Sequence, residues 1–543
     1  MLPSEVRSGE RVLAVLSMLH EPPTDAPGGH SATRRFLGRP AITWTLERLA
    51  RSRGLAGCAV LCWADQANAV RAVAGDATRV LGGRVDRPDL QAIAAARRWA
   101  DGWRGGLLMS AECDLGFDGC AVLACAEAHA ASAVLLVDPA SVLLDVALIE
   151  AVIERGLSPD LEYSFTPAAP GLGAVLLRTP LLQRLSTGGM WPGRILTYQP
   201  EAPLRDPLGS RSCVDPPLPA ARTTCRFKAD GRFASARLEQ ACLDTGGPER
   251  LTCESLVSAV ERLPIARLPR DVTLELTTRR HTMPIFSALR GGPVERSDLG
   301  AESSARLFAG LAGRDDLRLT LGGVGDPLLH AGFREIVHAA RRAGIGAVHV
   351  ETDLLCEEAL VDAVAELPID VLSVYVPALS AGTYAAVMGA DGLATVARNI
   401  ERLLARRRAL GRGTPVLAPT FVKCKANVAE MEGWFDGWLR VVGSAVIVPP
   451  PGDFGGRIAD VSVGDMSPAR RVPCRRLAAR MSVLSDGTVV SCELDVTGSR
   501  PMGTADDPGT AWVENFGRLR SMHADRKWDT CELCSGCREW HRP

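Results

Sequence analysis

Between Asp271 and Val448 the sequence alternates six short apolar strands with loops and amphipathic helices. The strands read "DVTLELT", "LRLTLGG", "GAVHVET", "DVLSVYV", "TPVLAPTF" and "SAVIV". Helical patterns such as "HAGFREIVHAARRAG" and "LATVARNIERLLARRRALG" separate them. Strands joined by helices run parallel, because a hairpin cannot return the chain in the same direction. Six repeats in under 180 residues fit an open or partial (β/α) barrel better than the closed eight-fold form. Ligands in such sheets bind beyond the carboxyl ends of the strands. The loop "TTRRHTMPIFS" after the first strand and the glycine-rich "LGGVGDPLLH" after the second therefore lie where a site is expected.

The rest of the chain divides around this run. At 543 residues it exceeds what one core usually holds. Residues 11–195 also alternate strands ("RVLAVLSML", "GCAVLCWA") with helices ("AITWTLERLARSRG"), which predicts a second mostly parallel α/β sheet. From about 196 the sequence turns rich in Pro, Asp, Arg and Ser, then offers the helix "ESLVSAVERL". The last 70 residues carry Gly, Cys and Trp, and "MSVLSDGTVVSCEL" reads as a hairpin around Asp486-Gly487. The expected division is 1–200, a linker and helical piece over 201–265, a partial barrel over 266–450, and a small α+β domain over 451–543.

The balance of charge excludes some partners. The net charge is −1, so no electrostatic argument for nucleic acid or an anionic membrane follows. No apolar run reaches the about 18 residues of a membrane span. The apolar stretch "ASAVLLVDPASVLLDVALIEAVIE" is interrupted by Asp138, Pro139 and Asp145. The N-terminus reads as a first strand rather than a signal peptide, so the expected location is the cytoplasm. Lysine occurs only at Lys228, Lys423, Lys425 and Lys527.

Eleven of the sixteen cysteines are scattered before residue 470 and read as small buried apolar side chains. Cys474, Cys492, Cys531, Cys534 and Cys537 instead fall close together, the last three spaced Cys-x2-Cys-x2-Cys. Thiolates are the ligands of zinc and of iron–sulfur clusters, and spacing alone leaves both open. Either centre needs four ligands, so one of the five is spare.

From Cys474 to the end, the sequence resembles a SPASM domain, the auxiliary iron–sulfur domain of many radical S-adenosylmethionine (SAM) enzymes. The matching residues are Cys474, the Gly487-x4-Cys492 segment, the Trp-containing helix "AWVENFGRLRSMH" and the terminal Cys-x2-Cys with Trp540. The resemblance implies one auxiliary 4Fe–4S cluster rather than zinc. The run from Asp271 to Val448 resembles a radical SAM barrel. In that family the first strand leads into Cys-x3-Cys-x2-Cys, and the matching positions here are Arg280, Pro284 and Ser287. The frame is kept and the three thiolates are absent. The family's Gly-Gly-Glu-Pro loop is matched by Gly323, Gly325, Asp326 and Pro327, and its third strand end by Thr352 and Asp353. The resemblance thus makes Gly323, Gly325, Asp326 and Thr352 candidate contacts for SAM. Asp326 reads equally as a helix N-cap ahead of Pro327.

The first domain resembles nucleotide-sugar cytidylyltransferases and related NTP transferases, through Gly38-Arg39-Pro40 and the strand ending at Asp138. That resemblance implies a Rossmann-like domain with Mg²⁺ held by Asp138; a turn or cap role for Asp138 stands beside it. The loop from Ser17 to Phe36 carries Glu21, Asp25 and prolines and no lysine, with Arg34 and Arg35 as its cations. Weak or absent nucleotide binding is therefore expected. The order of the three domains resembles the spiro-SPASM proteins. The function expected is that of a radical SAM/SPASM protein binding one auxiliary cluster, acting on a peptide, small molecule or cell-surface molecule, with the SAM-cleaving site lost. A nucleotidyl or sugar transferase, and a non-catalytic cluster-bearing adaptor serving a partner enzyme, are the alternatives. No catalytic residue is assigned.

Overall fold

The computed structural model describes residues 10–105 and 107–542. The chain is a mixed α/β protein with parallel sheets, in two compact units that divide between Pro264 and Ile265.

The first unit is built on a six-stranded sheet. Its strands are β1 (Val12–Ser17), β2 (Gly57–Cys62), β3 (Thr78–Val80), β4 (Ala133–Val137), β5 (Tyr163–Phe165) and β6 (Val175–Arg178). Their order is β3-β2-β1-β4-β6-β5, parallel from β3 to β4, with β6 antiparallel to β4 and β5 antiparallel to β6. Every residue of β1 and β4 is buried, as strands covered on both faces require. The chain steps from β1 to β2 and β3 on one side, then crosses to place β4 on the other. The crevice between the carboxyl ends of β1 and β4 is therefore a topological switch point. The apolar stretch expected to break at its aspartates does so. Asp138 ends β4 in a turn, accepting the Ala140 N–H at 2.8 Å, and Asp145 caps the helix Val146–Gly156 through the Leu148 N–H. Phe227, Ala229, Leu238 and Leu256, from the region read as linker and helical piece, pack into the same core as Val12, Val60 and Leu135.

In the second unit the six expected parallel strands are all present. They are β7 (Asp271–Leu274), β8 (Arg318–Leu321), β9 (Ala347–Thr352), β10 (Val371–Tyr375), β11 (Val416–Val422) and β12 (Val446–Val448). They lie side by side in chain order, each parallel to the next. The sheet continues on the other side of β7. There β13 (Arg480–Val483) adds in parallel, followed by antiparallel β14 (Thr488–Val490) and β15 (Pro501–Thr504). The hairpin expected at Asp486-Gly487 joins β13 to β14. Gly487 sits at φ 86°, and the Asp486 carboxylate accepts the Thr488 N–H. Met481, Val489, Trp512 and Phe516 share one core with Val272, Leu319, Val348 and Leu372.

Val448 of β12 and Ser482 of β13 line a common cavity, so the sheet curls around it. Polar residues alternate with apolar ones on the inner face: Thr273 and Glu275, His349 and Glu351, Ser373 and Tyr375. Among the described residues no helix is long and apolar enough to cross a membrane.

Candidate functional sites

The loop leaving β7 is pinned by the chain itself. Met283 N–H donates to Met388 O at 2.9 Å and Ile285 N–H to Val387 O at 2.8 Å. At the three positions that resemble the cysteine frame, Pro284 and Ser287 are buried and Arg280 projects a side chain that is only 8% exposed. The Arg280 guanidinium grips both oxygens of Asp353, with Nε to Oδ2 at 2.9 Å and Nη2 to Oδ1. Such a two-pronged pair matches the planar fork of arginine to a carboxylate. Thr282 Oγ1 also donates to Asp353, and the guanidinium lies 5.3 Å from the Tyr375 ring centroid.

Asp326 stands next to this pair and is held by three donors. Its Oδ1 accepts from Leu328 N–H at 3.0 Å, and its Oδ2 accepts from Thr352 Oγ1 at 2.8 Å and Asp353 N–H at 2.9 Å. It caps a short 3₁₀ turn, Pro327–Leu329, and the α-helix begins only at Phe333. Burial, together with neighbouring Asp353, pushes the Asp326 carboxyl up. Gly325 packs so tightly that a Cβ there would come within 2.1 Å of Thr277 O. Gly323, at φ 120°, faces the cavity. The structure thus joins Asp326 and Thr352 by a hydrogen bond to each other, and places Gly323 alone of the four candidates on the cavity wall.

That cavity has a volume of about 400 Å³. Arg280, Glu351 and Tyr375 line it from the strand ends, and Arg476, Arg480 and Glu539 from the C-terminal segment. Tyr375 Oη donates to Glu351 at 3.3 Å. Burial, with Glu493 adding to it, pushes the Glu351 carboxyl up to about 7. None of Glu351, Tyr375 or Arg480 stands out as a motif. Their signal is the alternation of polar and apolar residues along strands that parallel packing normally makes apolar throughout.

Four of the five C-terminal cysteines, Cys474, Cys492, Cys534 and Cys537, line a second, small cavity of about 30 Å³. Leu477, Leu494, Leu519 and Trp540 line it too, together with Arg471, Arg476, His523 and Glu539. Cys474 precedes the β13 hairpin and Cys492 follows it. Cys534 and Cys537 sit on nested turns, with Cys534 N–H bonded to Cys531 O and Cys537 N–H to Cys534 O. Arg471 fastens those turns by donating to the carbonyls of Cys534 and Ser535, and it stacks 4.9 Å from Trp528. Burial pushes the Cys492 thiol up to about 12 and raises Cys537. Cys531 is buried beside Cys534 and outside the cavity wall. A hydrogen bond from Cys534 draws the Cys531 thiol down to about 5. All sixteen cysteines are free thiols, and among the described residues no three His, Cys, Asp or Glu side chains stand at the spacing of a single metal ion.

In the first unit, Asp138 lies at the switch point beside Lys228, one of the chain's four lysines. Lys228 Nζ stands 2.8 Å from Asp138 Oδ2 and 2.6 Å from Glu112 Oε1. Arg97 holds the other Glu112 oxygen at 3.1 Å, and His20 Nε2 lies 3.9 Å from Asp138. Burial works to lower the Lys228 pKa, but Asp138 and Glu112 outweigh it and hold it raised. The loop from Ser17 to Phe36 keeps its cations for itself. Arg34 donates to Gly28 O, Gly29 O and Ala229 O, and Arg35 donates to Gly38 O. Glu21 accepts the N–H and hydroxyl of Ser31.

No family model matches the chain. An uncharacterized protein of Treponema pallidum (strain Nichols) is 30% identical over 132 residues, which cover 23% of this chain and 34% of that protein. The chain therefore matches about a third of that relative's length. Among solved structures, BtrN in complex with AdoMet and 2-DOIA is similar over 50% of this chain and 93% of its own, at 15% identity and a TM-score of 0.36. Streptococcus suis SuiB bound to precursor peptide SuiA covers 57% of this chain and 86% of its own, at 12% identity and 0.39. A form of anSMEcpe with bound AdoMet covers 49% and 85%, at 11% identity and 0.37. These structural neighbours are radical SAM enzymes. At TM-scores below 0.5 they assign no role to any residue of this chain.

Proposed function

We propose that this chain is a SPASM-type protein of the radical SAM superfamily that binds one auxiliary 4Fe–4S cluster and does not itself cleave SAM. In this reading residues 266–450 form the partial barrel, residues 451–543 the cluster domain, and residues 1–200 an NTP-transferase-like domain. The observation that carries it is the convergence of Cys474, Cys492, Cys534 and Cys537 on one cavity. Four soft thiols are the donor set of an iron–sulfur cluster. Zinc takes the same thiolate donors, so acid-labile sulfide is what tells the two apart. A bound cluster supplies one-electron transfer or a Lewis-acidic iron. A cavity of about 30 Å³ holds roughly one water. A cuboidal centre takes more room, so the Cys531–Cys537 turns would have to spread to admit one.

The chain's own residues supply the rest. Arg471 holds the turns that carry Cys534 and Cys537. Arg476, paired with Glu493 at 2.7 Å, closes the cluster side of the barrel cavity. The barrel cavity is the space for a small-molecule substrate or a peptide side chain. Where a catalytic cluster would need three thiolates, Arg280, Pro284 and Ser287 offer none, and the Arg280–Asp353 pair fills the place. That pair favours an adaptor role, or a role beside a separate enzyme, over SAM cleavage by this chain.

The test is anaerobic reconstitution followed by incubation with dithionite and SAM. About four irons and four sulfides per chain, as one such cluster requires, together with no 5′-deoxyadenosine above a cluster-free control, is the expected result. Formation of 5′-deoxyadenosine, or zinc without sulfide, contradicts the reading.

A further inference from the structure

We propose that Lys228 is the resident cation of the carboxylates at the switch point of the first unit, and that it closes this position to divalent metal ions. The position is one where a metal is expected on general grounds. It lies between the carboxyl ends of β1 and β4, and Asp138 stands at a strand end there. Asp138 and Glu112 bring one oxygen each to within 2.8 Å of a single point, and Asp230 has an oxygen 3.7 Å from it. Oxygen donors surround Mg²⁺ at about 2.1 Å and Ca²⁺ at about 2.4 Å. The carboxylates stand wider about that point than an ion would hold them, at the reach of an ammonium group. The point is the Nζ of Lys228.

The lysine is built in rather than resting there by chance. Its side chain is 2% exposed. The flanking residues Phe227 and Ala229 are fully buried in the core. Phe227 N–H donates to Pro170 O at 2.8 Å, and Ala229 N–H donates to Ala140 O at 2.9 Å. Those two bonds fix the backbone on both sides of Lys228, and the second ties it to the turn that carries Asp138. Gly171 leaves room for it, since a Cβ there would meet Phe227 O at 2.3 Å and Lys228 Cγ at 3.0 Å. Arg34 donates to Ala229 O, so the loop after β1 closes onto the same segment.

The charges are also balanced without a metal. Lys228, Arg97 and Arg226 face Glu112, Asp138 and Asp230. A divalent ion added to this set would have to displace a fixed ammonium from two of its own ligands. The residues present do not fit Mg²⁺ alongside Lys228. The ammonium is in turn committed to two carboxylates, so it is not free to neutralise a polyphosphate. Where the general pattern would place an exchangeable ion, this chain has fixed a covalently attached one.

The experiment is Mn²⁺ titration of the full-length protein, followed by the electron paramagnetic resonance signal of free Mn²⁺. Wild type and Asp138→Asn are expected to give the same binding curve. Lys228→Ala is expected to take up one additional Mn²⁺ per chain, and the double variant Lys228→Ala/Asp138→Asn to lose it. Uptake by wild type that Asp138→Asn abolishes would overturn the proposal. So would a Lys228→Ala variant with wild-type circular dichroism and no extra uptake. Should Lys228→Ala not fold, the comparison of wild type with Asp138→Asn still decides. A matching pair of curves supports the closed site, and a difference refutes it.

Discussion

The loop after β7 and the cysteine cavity belong to one unit and share one core, yet their polar groups are satisfied in opposite ways. At the loop, the buried charged groups have found partners within the chain. Arg280 and Asp353 neutralise each other, Thr282 adds a third bond, and Asp326 is filled by Leu328, Thr352 and Asp353. At the cavity, four thiols, each a weak donor and weak acceptor, share a wall with leucines, Trp540, His523, Arg471, Arg476 and Glu539. Its nearby cations are spent elsewhere, Arg471 on backbone carbonyls and Arg476 on Glu493 and Glu539. A self-neutralised constellation is a finished part of the fold. A set of soft donors held only by weak sulfur hydrogen bonds, such as Glu539 N–H to Cys537 Sγ at 3.3 Å, is where a cofactor belongs. At the switch point of the first unit Lys228 neutralises the carboxylates as Arg280 does here, but Asp138 Oδ2 and His20 Nδ1 are left buried without a hydrogen-bond partner.

The comparison breaks most directly at Arg280. Arg280→Ala leaves Asp353, with a side chain 1% exposed, as a buried charge without its cation. Removing one member of a buried pair costs about 3–5 kcal/mol. Urea denaturation is expected to show a loss of that size, whereas Arg280→Lys retains part of it. Next comes Glu351 on the cavity wall. Its carboxyl lies at about 7 in the folded chain, above the ordinary value. The folded state therefore holds a proton that the unfolded chain has released. That contribution is full below the unfolded pKa and is lost as pH rises through about 7. It amounts to at most about 3 kcal/mol. Stability is expected to fall between pH 5 and pH 8 in wild type, and Glu351→Gln is expected to flatten the fall. The smallest effect sharpens the cysteine side. Arg471→Ala removes two hydrogen bonds and a stacking contact, for about 1–2 kcal/mol of stability. It is expected to speed the loss of iron from reconstituted protein to a chelator while leaving initial iron uptake unchanged.

Much of this was legible in the sequence, for identifiable reasons. The six strands appeared as expected, with helices between them and none directly after β12, because β7 to β12 are short β-rich runs set off from the helices by Gly and Pro. The hairpin at Asp486-Gly487 appeared because that dipeptide tolerates the left-handed turn. The clustering of cysteines was legible, and which four share a cavity was not, since Cys531 is separated from Cys534 only by the direction in which a turn points them. Parallel addition of β13 to β7 was not legible either. It pairs residues about 210 apart, and no local pattern encodes a partner at that distance. Lys228 was missed for the same reason. It lies in a stretch rich in Pro and Arg that reads as a linker, and only tertiary packing brings it to Asp138.

The central claim is that one cluster sits on Cys474, Cys492, Cys534 and Cys537. The most direct measurement is iron and acid-labile sulfide per chain after anaerobic reconstitution of wild type, Cys492→Ala, Cys531→Ala and Cys58→Ala. Wild type, Cys531→Ala and Cys58→Ala are expected to hold about four of each, and Cys492→Ala to lose the cluster. Retention of the full cluster by Cys492→Ala, or its loss in Cys531→Ala alone, would contradict the account.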